Sequence, residues 1–160
     1  DHMLTLFAKH GLFDLKVRAM GDLGVDLHHT NEDVGICLGS AFKKALGKKA
    51  GINRYGYAFI PMDEALASAR IVLDISGRPS LFFNSAAKKL QPAEYNLQDA
   101  KEFLRAFSSN SGINMHVDVL RGEDTHHVIE ALFKAAARAL KEASSIDKRV
   151  KGVPSSKGRL

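Results

Sequence analysis

The chain has 160 residues, 45% of them hydrophobic, which suits one compact domain of the usual size of roughly 100 to 200 residues. No apolar run approaches the ~18 residues of a membrane span, and the single cysteine, Cys37, excludes an internal disulfide, so we expect a soluble, cytoplasmic protein with no membrane partner. The formal net charge of +5 leaves nucleic-acid binding open, but basic clusters such as Lys43-Lys44 and Lys88-Lys89 are not interleaved with stacking aromatic residues, so we expect no nucleic-acid partner.

The first part of the chain is predicted to form a helix, a strand and a second helix. The helix begins near His2, Asp14–Asp22 has the pattern of a strand followed by a Gly-acid turn, and Val34–Leu46 carries apolar residues at helical spacing. The second helix directly follows the motif His28-His29-Thr30-Asn31-Glu32. This motif has the form HHxxE, and it is the first of two in the chain.

The middle of the chain is predicted to be mainly strand. Tyr55–Ile60, Ala69–Ile75 and Leu81–Asn84 are rich in residues that favour strands. Ser85–Tyr95 lacks a clear periodicity and is predicted to be a loop, which leads into a helix over Leu97–Ser108.

The last part of the chain repeats the pattern of the first. A strand containing His116 precedes a second HHxxE motif, His126-His127-Val128-Ile129-Glu130, and a helix is predicted over Ala131–Ala143. We therefore interpret residues 1–160 as one domain made of two repeats, about 1–50 and 97–145, with four helices and about seven strands in all.

The tail from Lys148 supports two interpretations. It is basic and rich in Ser, Gly and Pro, a composition typical of disorder. It also contains Pro154-Ser155-Ser156-Lys157-Gly158, whose hydroxyls, amides and ammonium could surround a phosphate. Both interpretations stay open at this point.

The two HHxxE motifs indicate a paired transition-metal site. Residues three or four apart share a helix face, so His28 and His29 can approach Glu32, and His126 and His127 can approach Glu130. Adjacent histidines point about 100° apart on a helix, which favours ligands shared between two ions. Imidazole with carboxylate suits Mn, Fe, Co, Ni or Zn, and the lack of sulfur ligands argues against a closed structural zinc site.

An ordered set of motifs resembles the imidazoleglycerol-phosphate dehydratase family of histidine biosynthesis over essentially the whole chain. The motifs are DHML (1–4), HHTNEDVGI (28–36), GINRYG (51–56), PMDEAL (61–66), DISGRP (74–79), HHVIEALFKAAARAL (126–140) and PSSKG (154–158). The resemblance implies an α+β fold in which two similar halves, each like domain 2 of ribosomal protein S5, place a helical bundle between two β-sheets. Family members also carry amino-terminal strands with an active-site glutamate before DHML, and these have no counterpart in this chain.

The resemblance also implies a set of site residues. The metal ligands would be His2, His28, His29, Glu32, His116, His126, His127 and Glu130. The substrate would be held by His10, Arg54, Arg78, Ser155, Ser156 and Lys157, with Lys134 also facing it. Taken alone, the single histidines His2 and His116 more often make ordinary hydrogen bonds, His10 could cap its helix, and Arg78 could form a structural salt bridge.

The implied reaction is the dehydration of D-erythro-imidazole glycerol phosphate to imidazole acetol phosphate. Removing a weakly acidic C–H proton and expelling hydroxide is slow without an electron sink. An imidazole ring can be that sink as imidazolate, which two Mn²⁺ ions per active site would stabilise. The family assembles as trimers and then as an octahedral particle of twenty-four subunits, with metal sites completed across subunit boundaries.

Two other functions fit parts of the pattern. A di-metal hydrolase acting on a small phosphorylated substrate would use the same ligands on a metal-bound water. A non-catalytic module that binds metal or nucleic acid would explain the charge but not the ordered set of motifs.

Overall fold

The computed structural model describes residues 1–62, 65–87 and 90–160, with only the backbone of residues 65–68. The Lys88-Lys89 cluster lies outside the described residues, as do Asp63 and Glu64. The elements in chain order are α1 (His2–Gly11), α2 (Leu27–Leu46), β1 (Tyr55–Met62), β2 (Ala65–Asp74), β3 (Ser80–Ser85), α3 (Leu97–Ser111), β4 (Asn114–Val119) and α4 (Thr125–Ser144).

The strands form a four-stranded mixed sheet in the order β1-β2-β4-β3. β2 is antiparallel to both β1 and β4, and β3 is parallel to β4. One face of the sheet is buried, because alternate residues such as Ile71 and Val117 point into the core. The other face exposes Val72, which pairs with His116, and His116 in turn pairs with Phe82.

Helix α4 covers the buried face of the sheet. Six of its thirteen buried residues are alanine, and these small side chains let the helix approach the strands closely. The approach is tightest at Gly56 of β1, where a Cβ atom would collide with the carbonyl oxygen of Ala139. Helix α1 packs along α4, so the start of the chain lies beside the second HHxxE motif.

Helix α2 packs on α3 rather than on the sheet. Its buried residues are Asn31, Gly35 and Gly39, a single stripe in which each is four residues from the next. A Cβ atom at Gly39 would lie 2.5 Å from the carbonyl oxygen of Phe107, so glycine permits this close contact. The two helices that carry the HHxxE motifs therefore have different neighbours.

The α+β class and the four helices are confirmed for the described residues, and the helix expected at Leu97–Ser108 extends to Ser111. The strand expected over Asp14–Asp22 is wrong, because that segment forms neither helix nor strand. A strand needs a partner for its backbone hydrogen bonds, and no described strand pairs with this segment. The described residues accordingly contain four strands in one sheet, not about seven, and the second sheet remains a prediction.

Candidate active site

Each HHxxE motif occupies the first turns of a 20-residue helix. The side chain of Asp26 accepts a hydrogen bond from the backbone N–H of His28 at 2.8 Å, and Asp124 accepts one from His127 at 2.9 Å. An aspartate at this position satisfies amides that have no partner within the helix. Both helices therefore begin before their motifs, earlier than their predicted starts, and the two aspartates are the sequence signal for these earlier starts.

The second motif forms a compact group with the start of the chain. Nε2 of His2 lies 2.6 Å from Oε1 of Glu130, and Nε2 of His126 lies 3.3 Å from the same oxygen. The rings of His2 and His126 are stacked, with centroids 5.6 Å apart and an angle of 12° between their planes. The donor atoms all lie within 4.8 Å of one another, which makes this a possible metal-binding group.

The carboxyl group of Glu130 stays ionised within this group. It is 7% exposed, and burial opposes ionisation, but hydrogen bonds with Lys134 and His2 outweigh that effect and lower its pKa to about 2. Nζ of Lys134 lies 2.7 Å from Oε2 of Glu130 and 3.4 Å from Sδ of Met62. Glu130 is therefore a charged oxygen donor held in place from two sides.

The first motif forms a looser arrangement on α2. Nε2 of His28 lies 3.8 Å from Oε2 of Glu32, and the rings of His28 and His29 have centroids 6.2 Å apart. His29 lines a groove of about 480 Å³ between residues 15–22 and α2. These residues lie outside the compact group formed by His2, His126 and Glu130.

The other two predicted ligands also lie outside that group. His127 is adjacent to His126, with ring centroids 6.5 Å apart. His116 lies on β4, as expected, but on the exposed face of the sheet, where it stacks on Phe82 at 4.5 Å. Within the described part of one chain, the structure thus brings together three of the predicted ligands.

His10 lies near the end of α1 in a cationic environment. Burial lowers its pKa, and the positive charges of Lys134, Arg138 and Lys9 lower it further. The imidazole is therefore neutral at physiological pH, and one ring nitrogen can accept a hydrogen bond while the other donates. This position beside Lys134 is compatible with the predicted contact with substrate.

Arg54 connects the sheet to the tail of the chain. Its guanidinium donates to Asp74 through Nε at 2.7 Å and Nη2 at 3.0 Å, and to the carbonyl oxygen of Pro154 through Nη1 at 2.9 Å. The Asp74 hydrogen bonds, opposed by burial, raise the pKa of Arg54 above its ordinary value. Arg54 therefore holds the start of the PSSKG segment, and Asp74, which was not among the predicted site residues, orients Arg54.

The tail packs against the chain at several points. The N–H of Gly51 donates to the carbonyl oxygen of Gly152 at 2.8 Å, and Leu160 lies close beside Gly77. Within PSSKG, the N–H of Lys157 donates to the Ser155 hydroxyl at 3.2 Å, which closes a tight turn. The tail therefore follows a defined path from Gly51 to the turn before Arg78.

Arg78 lies in the exposed turn before β3. Its backbone N–H donates to the Ser76 hydroxyl at 3.2 Å, and its side chain forms no ion pair with any described residue. The structural salt bridge that could have explained Arg78 is therefore not formed among those residues. With respect to the described residues, its side chain is available to meet an anion near the end of the tail.

The compact histidine group and the PSSKG segment lie toward opposite ends of α4. Glu130 is in the second turn of the helix, whereas the N–H of Arg54 donates to the carbonyl oxygen of Ala143 near its end. These positions are separated by about 20 Å along the helix axis, at about 1.5 Å per residue. One chain therefore does not bring its compact histidine group and its phosphate-binding candidates into contact.

Residues 1–140 match the family model described as "Imidazoleglycerol-phosphate dehydratase". The chain belongs to the imidazoleglycerol-phosphate dehydratase family. Among curated members, it is 58% identical over 162 residues to the enzyme of Clostridium botulinum and 57% identical over 160 residues to that of Thermoanaerobacter pseudethanolicus. Each match covers 100% of this chain and 81% of the relative.

Solved structures of the family agree with this fold. The dehydratase of Staphylococcus aureus superposes with a TM-score of 0.81 at 43% identity, covering 91% of this chain and 81% of that one. The Pyrococcus furiosus protein, solved in complex with (S)-C348, has a TM-score of 0.76 at 32% identity, covering 99% and 84% of the two chains. The resemblance found in the sequence is confirmed.

Membership of this dehydratase family identifies a hydro-lyase that removes water from imidazoleglycerol phosphate in histidine biosynthesis. The histidine and carboxylate donors on α1 and α4 suit the metal dependence of the family. No helix in the described ranges is both long and apolar enough to cross a membrane.

Proposed function

We propose that the chain uses two Mn²⁺ ions per active site to convert D-erythro-imidazole glycerol phosphate to imidazole acetol phosphate and water. The observation that carries this proposal is the convergence of His2, His126 and Glu130, whose donor atoms lie within 4.8 Å of one another. Two imidazole nitrogens and one carboxylate oxygen, without sulfur, suit Mn²⁺ among the transition metals. The donor set and its spacing therefore fit a metal ion.

The remaining ligands would come from the first motif and from two further histidines. We propose the full set His2, His28, His29, Glu32, His116, His126, His127 and Glu130. The geometry gives the least support to His116 as a ligand, because its ring stacks on Phe82 on the exposed face of the sheet. It can reach an ion only where that face meets another part of the assembly.

The two ions, held by the proposed ligands, would supply Lewis acidity that favours the anionic form of the substrate ring. Glu130 keeps its charge because its pKa is about 2, so it needs no deprotonation step before it binds a cation. Lys134 holds Glu130 in place and offers positive charge to the substrate beside it. His10, neutral next to Lys134, can donate or accept a hydrogen bond to a substrate hydroxyl.

The phosphate group of the substrate would bind at the tail. Ser155, Ser156 and Lys157 offer hydroxyls, backbone amides and an ammonium. Arg54 holds this segment through the carbonyl oxygen of Pro154, and Arg78 offers a further guanidinium. Binding energy from the phosphate would then position the ring for the reaction.

We propose that a complete site needs more than one subunit. The glycerol-sized linker of the substrate is too short to span about 20 Å, the separation of the compact histidine group and the Arg54 end along α4. Subunits arranged as trimers and then as a twenty-four-subunit octahedral particle would bring the tail of one chain to the histidines of another. The two repeats, about 1–50 and 97–145, would each contribute one HHxxE helix to this shared arrangement.

The activity is tested with Mn²⁺-loaded protein and imidazole glycerol phosphate. We expect formation of imidazole acetol phosphate without release of inorganic phosphate, and loss of the reaction in His126→Ala. Release of inorganic phosphate from a range of phosphate esters would instead support the di-metal hydrolase. Failure of the protein to bind Mn²⁺ at all would reject the proposal.

The shared site is tested by thorough chelation followed by sizing. If metal ions hold subunits together, the large particle should dissociate after chelation and re-form when Mn²⁺ is restored. An unchanged particle size in the metal-free protein would contradict a role for the ions in assembly.

A further inference from the structure

The first HHxxE motif contains a buried amide that makes hydrogen bonds to two other parts of the chain. Asn31 is 8% exposed, and its Nδ2 donates to the backbone carbonyl oxygen of Asp99 in the first turn of α3, at 2.8 Å. Its Oδ1 accepts a hydrogen bond from the hydroxyl of Tyr95 at 3.0 Å. Tyr95 lies in the loop between β3 and α3, so one side chain connects α2 to both a helix and a loop.

Asn31 stands at one end of the stripe by which α2 contacts α3. Gly35 and Gly39 continue the stripe without a side chain. A large packing contact of α2 with α3 lies farther along the helix, where the ring centroid of Phe42 is 5.8 Å from that of Phe107. The two hydrogen bonds of Asn31 are directional, because an amide loses them when it rotates away. They therefore supply the directional contacts that orient the first turns of α2 on α3.

The orientation of Asn31 determines where the rest of the motif points. At about 100° per residue, His28, Glu32 and His29 lie at about 60°, 100° and 160° from Asn31 around the helix. All three therefore lie on the same flank of α2, with His28 nearest the buried stripe and His29 farthest from it. A rotation of α2 by a few tens of degrees would move all three donor groups together.

The second motif lacks this arrangement. The corresponding position is Ile129, which is 1% exposed and packs in the apolar core. Helix α4 is held there by burial against the sheet and α1, with 13 buried residues. Helix α2 has only three buried residues, which lie against α3, with partly buried side chains such as Phe42 beside them. A polar anchor is thus present in the motif whose helix has the narrower packed surface.

We propose that Asn31, held by Tyr95 and the backbone of Asp99, is a positioning residue. It orients the metal-ligating side chains of the first HHxxE motif toward the metal site. This inference rests on the proposed function, because it takes His28, His29 and Glu32 as ligands. The Tyr95 hydroxyl remains protonated, since burial and the charge of Asp99 raise its pKa well above its ordinary value. The contribution of Tyr95 is therefore independent of pH across the physiological range.

The test is the affinity of the protein for Mn²⁺, measured by electron paramagnetic resonance of the free ion in Asn31→Ala, Tyr95→Phe and the double variant. Loss of an outer partner of metal ligands typically lowers affinity by about 10- to 100-fold. We expect Asn31→Ala to lower the affinity by about tenfold and Tyr95→Phe by less. Because Tyr95 acts through Asn31, we expect Tyr95→Phe to add nothing to Asn31→Ala.

A matched control separates positioning from general loss of stability. Ser108 on α3 is also buried and donates to the carbonyl oxygens of Ser80 and Ile113, but it lies away from the motif along α3. Ser108→Ala should lower the melting temperature and leave Mn²⁺ affinity unchanged. Normal Mn²⁺ affinity in a folded Asn31→Ala protein would overturn this inference and leave the proposed function intact. Absence of Mn²⁺ binding in the unsubstituted protein would overturn both.

Discussion

Nε2 of His2 lies 2.6 Å from Oε1 of Glu130, although 128 positions separate the two residues in the chain. The contact exists because α1 packs along α4, which places the first turn of one helix beside the second turn of the other. It completes the second HHxxE motif with a histidine from the start of the chain.

Replacing Glu130 with glutamine should remove the charged oxygen donor and keep its shape. We expect Mn²⁺ affinity to fall by more than the roughly 10- to 100-fold typical of an outer partner, as measured by calorimetry. Glu142→Gln is the control, because Glu142 lies on the same helix but accepts a hydrogen bond from the N–H of Tyr57. Equal Mn²⁺ affinity in the two variants would show that the charge of Glu130 does not bind metal.

Asp74→Asn should loosen the tail by weakening the Arg54 ion pair. Arg54 and Asp74 are largely buried, and we expect the free energy of unfolding to fall by about 2 kcal/mol, the size of hydrogen bonds to charged groups. Trypsin should also cleave faster at Lys151 and Lys157. The matched control is Asp118→Asn, which disrupts the more exposed pair with Arg70 and should cost less than about 1 kcal/mol. A similar decrease in the free energy of unfolding in both variants would contradict the proposal that the Arg54–Asp74 pair anchors the tail.

Lys134→Met should raise the pKa of His10. Burial lowers this pKa from its ordinary value of 6.5. Among the nearby positive charges, that of Lys134 has the largest further lowering effect on it. Below about pH 6.5 His10 becomes protonated in the unfolded chain but stays neutral in the folded chain. The free energy of unfolding therefore decreases as the pH falls through that value. Proton NMR of the imidazole checks the shift, with Lys148→Met as the control. An unchanged His10 pKa in Lys134→Met would show that burial and the other cations alone lower it.

Gly39→Ala should destabilise the protein although alanine favours helices. The gain in helix propensity is about 1 kcal/mol, but the new Cβ would lie 2.5 Å from the carbonyl oxygen of Phe107 and force α2 away from α3. Overpacking costs about 1–3 kcal/mol, so we expect a net loss of about 1 kcal/mol in urea unfolding. Gly24→Ala meets nothing within 4 Å and should be neutral or slightly stabilising. Greater stability in Gly39→Ala would show that α2 can move away from α3 at little energetic cost.

The sequence alone determined the elements that depend on local periodicity. Apolar spacing predicted α2, α3 and α4, and residue preferences predicted β1, β2 and β3, with errors only at their ends. The motifs also identified the family, because an ordered set of rare residue combinations is specific even without a structure. The strand expected over Asp14–Asp22 failed because strand formation depends on a neighbouring strand, which local pattern does not encode.

Only the tertiary structure decided which of the predicted residues meet. Spacing along a helix could pair His126 with Glu130, but it could not select His2 as the third member or place His116 on the opposite face of the sheet. It also could not reveal that Asn31 and Tyr95 hold α2, or that Asp74 holds Arg54. These contacts join residues far apart in the chain, and they depend on how helices and strands pack around a shared core rather than on the preferences of any one segment.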